Sequence, residues 1–305
     1  MASVTLAESA KLSQDFLVRG VIEDIITVNP FFDVFPFDGL NGNALAYDRE
    51  NTLGDVQTLG VDGTITAKNP ATFTKVTTGL TTIIGDAEIN GLLQATRSDI
   101  NDQTLTQIAS KAKNVGNTYQ SQMIVGDGTG DNIEGLLNLL PADQIVTGLT
   151  ANGDALTFAI LDELLDLVQD KDGNADYIMM HQRSRRAFYA LARSAGGAGL
   201  IETITLPSGR TSPAYNGVPI FINNYLPINQ TKGTGTARTT IIAGTFDDGS
   251  RTHGIAGLTA TNAAGIQVTD VGEAETKDNR IWRIKWYSGL ALFSNRGISY
   301  ADGIA

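Results

Sequence analysis

Between residues 11 and 28, Leu12, Phe16, Val18, Val21, Ile22, Ile25 and Ile26 recur at three- and four-residue spacing. That period predicts an amphipathic helix, with Ser13 and Asp15 available to start it and Pro30 to stop it. The next stretch, Phe31 to Phe37, is aromatic and reads as extended, Pro36 keeping it from becoming a helix. The clearest helix falls at 101–124. Leu105, Ile108, Ala109, Ala112, Val115, Tyr119 and Met123 form one stripe, and Asn101 or Asp102 can cap the start. At about 1.5 Å per residue this is a rod of roughly 35 Å.

The segment 41–82 behaves differently. Ten of its 42 residues are Thr, it shows no helical period, and Asp62-Gly63 is a good hairpin turn. It predicts a long two-stranded ribbon. A ribbon of this composition buries little of itself, and an isolated hairpin is marginal in water. Two readings follow: a solvated excursion from a core sheet, or an arm that gains stability by lying on another molecule.

From 139 to 265 helices and strands alternate. Asp154 can cap a helix running to about Gln169, Tyr177–Met180 reads as a strand and Arg183–Arg193 as a helix. Ser194–Gly199 reads as a mobile loop. Asn216-Gly217 introduces a strand at Val218–Ile222, and another lies at Thr239–Ala243. In 281–294, Trp282, Ile284 and Trp286 alternate with Arg283 and Lys285, the pattern of a half-buried strand. The fold class is α+β, without internal repeats.

Composition narrows the function. The 305 residues carry 22 Lys plus Arg and 33 Asp plus Glu, a formal charge of −11, and only 18% are charged. No basic cluster marks a duplex nucleic-acid binder. No run of about 18 apolar residues spans a membrane, and the first residues lack a signal peptide's basic and apolar regions. With no Cys there is no disulfide, thiolate nucleophile or Cys-ligated zinc.

Candidate chemistry is sparse. His181 and His253, the two histidines, lie outside any metal-ligand spacing. Asp170, Asp172, Asn174 and Asp176 alternate like a calcium loop, but Ala175 stands where such a loop needs Gly, and His181 where it needs Glu. Gly126-Asp127-Gly128-Thr129-Gly130-Asp131 follows a helix and lacks the Lys-Ser/Thr of a phosphate loop. No G-x-S-x-G or H-E-x-x-H occurs, so a soluble enzyme has no positive support, and no cofactor or metal is called for. Low charge, a projecting ribbon, an amphipathic N-terminal helix and an aromatic segment point instead to a subunit that wraps its neighbours.

Several motifs, taken in order, resemble the tailed-phage major capsid proteins of the Hong Kong ninety-seven type fold. Leu40-Asn41-Gly42-Asn43-Ala44-Leu45-Ala46-Tyr47 is similar to the start of that family's extended loop. The long helix with Gly126 to Leu137 behind it is similar to the spine helix and its G-D-G-T…G-L-L segment. Tyr215 to Pro227 resembles the family's G-x-P strand, and Leu290-Ala291-Leu292 its returning strand.

The resemblance implies an N-arm at 1–38, an extended β-hairpin loop at 39–86, a peripheral domain from 87–138 and 266–305, and an axial domain at 139–265. It implies hexamers and pentamers tiling an icosahedral shell around double-stranded DNA, held without sequence-specific binding, and a virion protein made and assembled in the bacterial host cytoplasm. The partners implied are a portal protein at one vertex and, since Met1 lies close before the N-arm helix, a separate scaffolding protein. Candidate intersubunit contacts are Phe31, Phe32, Phe35 and Phe37, with Lys68, Phe73 and Lys75 of the loop. In one family member a loop Lys, an Asn and a catalytic Glu crosslink the subunits. Here Lys68 or Lys75 and Asn279 are present, but Trp286-Tyr287-Ser288 fills the place of the Glu. The shell is then held by non-covalent contacts or a decoration protein. The alternative is an encapsulin-like bacterial compartment of similar fold, which holds cargo enzymes instead of DNA.

Overall fold

The computed structural model describes residues 29–97, 102–196, 202–207 and 209–305. The expected helix at 11–28 and the second half of the Ser194–Gly199 loop lie outside them. The described chain mixes helices with two sheets and a separate ribbon, an α+β architecture.

Helix α1 is Gly91–Arg97 and α2 is Gln103–Val125. The Asp102 carboxylate caps α2 by accepting from the backbone N–H groups of Thr104 and Leu105 at 2.9 and 3.1 Å, a contact worth about 1 kcal/mol. Val115, Tyr119 and Met123 are buried as the stripe predicts, whereas Leu105 at its start is 64% exposed.

The buried face of α2 lies on a five-stranded sheet. Its strands are β1 (Phe37–Leu40), β4 (Thr81–Asn90), β11 (Ile255–Ala260), β12 (Gln267–Glu273) and β13 (Asn279–Leu292). Strand β13 is the centre, pairing antiparallel with β4, β11 and β12. Its alternation holds: Ile284 is fully buried, and Trp282 and Trp286 pack on the core. On the other face Arg283 grips Asp86 of β4 with two hydrogen bonds of 2.8 Å.

The second sheet has seven strands. Its path runs β14 (Ile298–Ile304), β10 (Gly235–Gly244), β5 (Tyr177–Met180), β8 (Val218–Ile222), β7 (Thr211–Tyr215) and β6 (Glu202–Thr205), with β9 (Gln230–Lys232) also on β10. Asn216 and Gly217, at φ 50° and 77°, form the tight β7–β8 turn, as an Asn-Gly pair favours. After the single turn α3 (Leu136–Leu139), helices α4 (Phe158–Asp166) and α5 (Gln182–Ser194) bury Leu161, Leu164 and Phe188 in the core of this sheet.

Some expectations change. The Phe31–Phe37 stretch is not extended throughout: Pro30–Asp33 is a short 3-10 helix, because Pro30 suits a first helical turn and the Asn29 side chain accepts from the Phe31 N–H. Helix α4 starts after Thr157, whose hydroxyl caps Ile160 N, while the Asp154 carboxylate accepts from Thr150 N instead. The sheets also interleave along the chain. Strand 255–260 joins the five-stranded sheet and 298–304 the seven-stranded one, so the chain crosses between sheets at 245–254 and again at 293–297.

Candidate functional site

The ribbon is built by β2 (Ala44–Thr52) and β3 (Thr72–Gly79), which pair antiparallel from Ala44 opposite Gly79 to Thr52 opposite Thr72. Beyond Thr52 strand pairing stops. The excursion is held by the Gln57 side chain, which accepts from Thr66 N, Thr66 Oγ1 and Ala67 N at 2.7–2.8 Å and donates to Thr64 O. The tip turn closes with Gly63 N donating to Gly60 O at 3.1 Å and Asp62 at φ 67°. Its centre is therefore Val61-Asp62, one residue before the expected Asp62-Gly63.

Only the base of the ribbon belongs to the core. Leu45, Tyr47 and Leu80 pack on Ala256, Leu258, Ala291 and Phe293. The Tyr47 hydroxyl and the Arg49 guanidinium both donate to Leu292 O, at 2.5 and 2.6 Å. Burial pushes the Tyr47 phenol above its ordinary value, against the opposing charge of Arg49.

Past this clamp nothing among the described residues covers the larger apolar side chains. Leu53, Val56, Val61, Ile65 and Phe73 are between 62% and 98% exposed. Fully burying such a side chain is worth about 1.5–3 kcal/mol. Five of them offer on the order of 10 kcal/mol, comparable to the roughly 4–15 kcal/mol that association costs in lost freedom. Exposed apolar groups concentrated on one projection mark an interaction surface.

The candidate contact residues separate into two groups. Lys68, Phe73 and Lys75 stand on the exposed ribbon. Phe31 and Phe35 do not face outward: they are 0% and 5% exposed, Phe31 lying 5.0–5.7 Å from the rings of Phe32, Phe35, Tyr177, Phe221 and Phe246. They join the two sheets of their own chain, because the 3-10 turn swings them inward. Phe32 is half-buried, and Phe37, 38% exposed, packs on Tyr119 and Trp286.

The Gly126–Gly135 segment is structural. A side chain on Gly126 would come 2.0 Å from Ile133 O, and one on Gly135 2.6 Å from Gln122 O. Asp127 turns its carboxylate inward to Thr129 N, Thr129 Oγ1 and the Asn132 amide, which hold its pKa down at about 2. Between this segment and Thr77–Thr82 at the ribbon base lies a polar cleft of about 590 Å³.

Two of the three carboxylates of 170–176 are also taken up internally, while Asp172 is exposed. Asp176 pairs with Lys171 and accepts from Phe246 N; Asp170 pairs with His253. His181 caps α5 by accepting from Arg183 N at Nδ1. Among the described residues no three His, Asp or Glu groups are placed to hold a metal, and no helix is long and apolar enough to cross a membrane. One carboxylate missed in the sequence stands beside Asn279: Glu88 Oε2, 3.5 Å from Asn279 Nδ2. Asn279 is 3% exposed and also accepts from Asn90, so no incoming lysine reaches it in this arrangement.

The sequence profile of the phage capsid family matches residues 14–279. No curated protein sequence matches the chain. Among solved structures the chain is similar to the holo-SrpI encapsulin complex of Synechococcus elongatus, at 16% identity and TM-score 0.73, covering 99% of this chain and 96% of that one. It is also similar to the capsid of Myoviridae phage XM1, at 12% identity and TM-score 0.64, covering both chains fully. The capsid of the native GTA particle follows at 14% identity and TM-score 0.63, covering 96% of this chain and 94% of that one. The shared fold is that of the Hong Kong ninety-seven type capsid proteins.

Proposed function

The chain belongs to the phage capsid family, and from that premise we propose that it assembles as hexamers and pentamers into the icosahedral shell that encloses the double-stranded DNA of a tailed bacteriophage. The observation that carries the assembly reading is the ribbon: clamped at Tyr47 and Arg49, it projects five exposed apolar side chains that nothing in the described chain covers. In a shell, that projection lies across the neighbouring copy.

The reading divides the chain by role. The five-stranded sheet with α2 forms the peripheral part, 44–79 the extended loop, and the seven-stranded sheet with α4 and α5 the axial part. Its partners are further copies of the chain, a scaffolding protein, a portal at one vertex and, where present, a decoration protein. Assembly takes place in the host cytoplasm. The work is mechanical, with no cofactor and no catalytic residue assigned. A net charge of −11 keeps the wall from gripping DNA, so the contents are held by enclosure and not by sequence-specific contacts.

A bacterial compartment shell is the second reading, favoured by the TM-score of 0.73 to the encapsulin. Electron microscopy of the purified, recombinantly expressed chain, with and without a candidate scaffolding protein, tests both. Closed shells or capsomer rings support assembly, and the native particle's contents, DNA or protein, choose between the readings. A monodisperse monomer under all conditions contradicts both.

A further inference from the structure

The two crossings between the sheets meet at one carboxylate. Segment 245–254 leads from β10 to β11 and segment 293–297 from β13 to β14. They hold each other: Thr245 N donates to Gly297 O at 2.8 Å and Phe293 N to Gly254 O at 2.9 Å. Asp170, on the segment after α4, engages both. Its Oδ1 lies 2.6 Å from His253 Nδ1, its Oδ2 accepts from Gly254 N at 3.0 Å, and its backbone N–H donates to Arg296 O. The approach is close enough that a side chain on Gly297 would meet Asp170 Oδ2 at 2.8 Å and Gly254 Cα at 2.8 Å. On its far side the 245–254 segment is tied to β1, where Arg251 bonds Asp38 and Gly39 O.

We propose that the Asp170–His253 pair is a protonation-dependent latch on this junction, tight while the imidazole is charged and loosened when it is neutral. The Asp170 side chain is 11% exposed and that of His253 35%, so the carboxylate is largely withdrawn from water and needs a counter-charge. Lys171, next to it, is engaged by Asp176. The charged groups facing the imidazole are Asp170 and Lys171 from the segment after α4 and Asp248 from its own loop; segment 293–297 meets the knot through backbone carbonyls and Gly297. The hydrogen bond to Asp170, helped by the charges of Asp170 and Asp248, raises His253 above its ordinary value against desolvation and Lys171. A histidine raised by folding contributes its stabilisation fully below the unfolded pKa of about 6.5, and loses it as pH rises through the folded pKa. Neutral imidazole can keep an Nδ1–H bond to the Asp170 carboxylate, so what is lost on deprotonation is the attraction of the imidazolium charge, while a hydrogen bond to the carboxylate remains.

The proposal concerns the junction and does not depend on what the shell encloses. Its test is hydrogen exchange by mass spectrometry on the full chain in its assembled form from pH 5.5 to 8.5, corrected for the intrinsic exchange rate. The titration of His253 is followed in the same samples by exchange at its ring C2. Protection of 245–254 and 293–297 should fall about threefold to tenfold as His253 loses its proton. His253→Gln should give low protection with a flat profile, and His181→Asn the wild-type profile. Wild-type protection that does not follow the His253 titration overturns the proposal, as does an unchanged pH profile in His253→Gln.

Discussion

Tyr47, on the ribbon, donates its hydroxyl hydrogen to the carbonyl oxygen of Leu292 at the end of β13, 2.5 Å away. The ring of the same residue lies 5.3 Å from Phe293. This contact marks the boundary between the part of the ribbon that the chain packs itself and the part it offers outward. Tyr47→Phe keeps the ring and removes the bond, and should cost about 0.5–1.5 kcal/mol in urea unfolding of the isolated chain. Proteolysis at 53–71, already exposed, should change little.

Phe31 and Phe73 form a contrasting pair. Phe31 is enclosed by five aromatic rings between the two sheets, and Phe73 is 65% exposed. Phe31→Ala should destabilise the chain by about 3–5 kcal/mol. Phe73→Ala should stay within about 0.5 kcal/mol and instead lower the yield of assembled particles. Denaturant melts of the two variants, read beside particle counts, check both halves.

Two glycines at the spine helix should respond in opposite directions. Gly126→Ala places a methyl 2.0 Å from a backbone oxygen, and Gly116, inside α2, has nothing within 4 Å. Gly116→Ala should raise stability by roughly 0.5–1 kcal/mol through better helix propensity. Gly126→Ala should lower it by more than that, because the backbone must move. Thermal unfolding of the pair decides.

The Asp86–Arg283 pair has a defined pH signature. The hydrogen bonds from Arg283 hold the Asp86 carboxyl below its ordinary value. Its stabilisation is therefore present above the unfolded pKa of about 4 and is lost as pH falls through the folded pKa. Asp86→Asn should be less stable than wild type at pH 7, and the gap should close as the solution is acidified below about pH 4. A gap that stays constant with pH assigns the effect to something other than the charge.

Where a pattern was local, the sequence was legible. The stripe of α2, the alternation of β13, the Thr-rich ribbon and the Asn216-Gly217 turn all follow from spacing within a few residues. The motif order that resembles capsid proteins agrees with the family match over residues 14–279. What local pattern could not carry was pairing across the chain. Strand 298–304 pairs antiparallel with β10, and no nearby residue announces it. Glu88 and Asn279 stand 191 positions apart, and Asp170 and His253 are separated by 83. The aromatic run at 31–37 read as a docking segment because hydrophobicity alone does not distinguish a core that joins two sheets from a contact between subunits. The burial of Phe31 and Phe35 makes the distinction for those two residues.

The ribbon is the element proposed to join copies, and the most direct measurement is electron microscopy of a variant lacking residues 50–75, beside the unaltered chain under the same conditions. The deletion removes the apolar tip while keeping the Tyr47 clamp. The unaltered chain should give closed shells, and the variant only isolated capsomers or shells that fall apart on dilution. Closed shells of normal stability from the variant would contradict the assignment of 44–79 as the intersubunit arm.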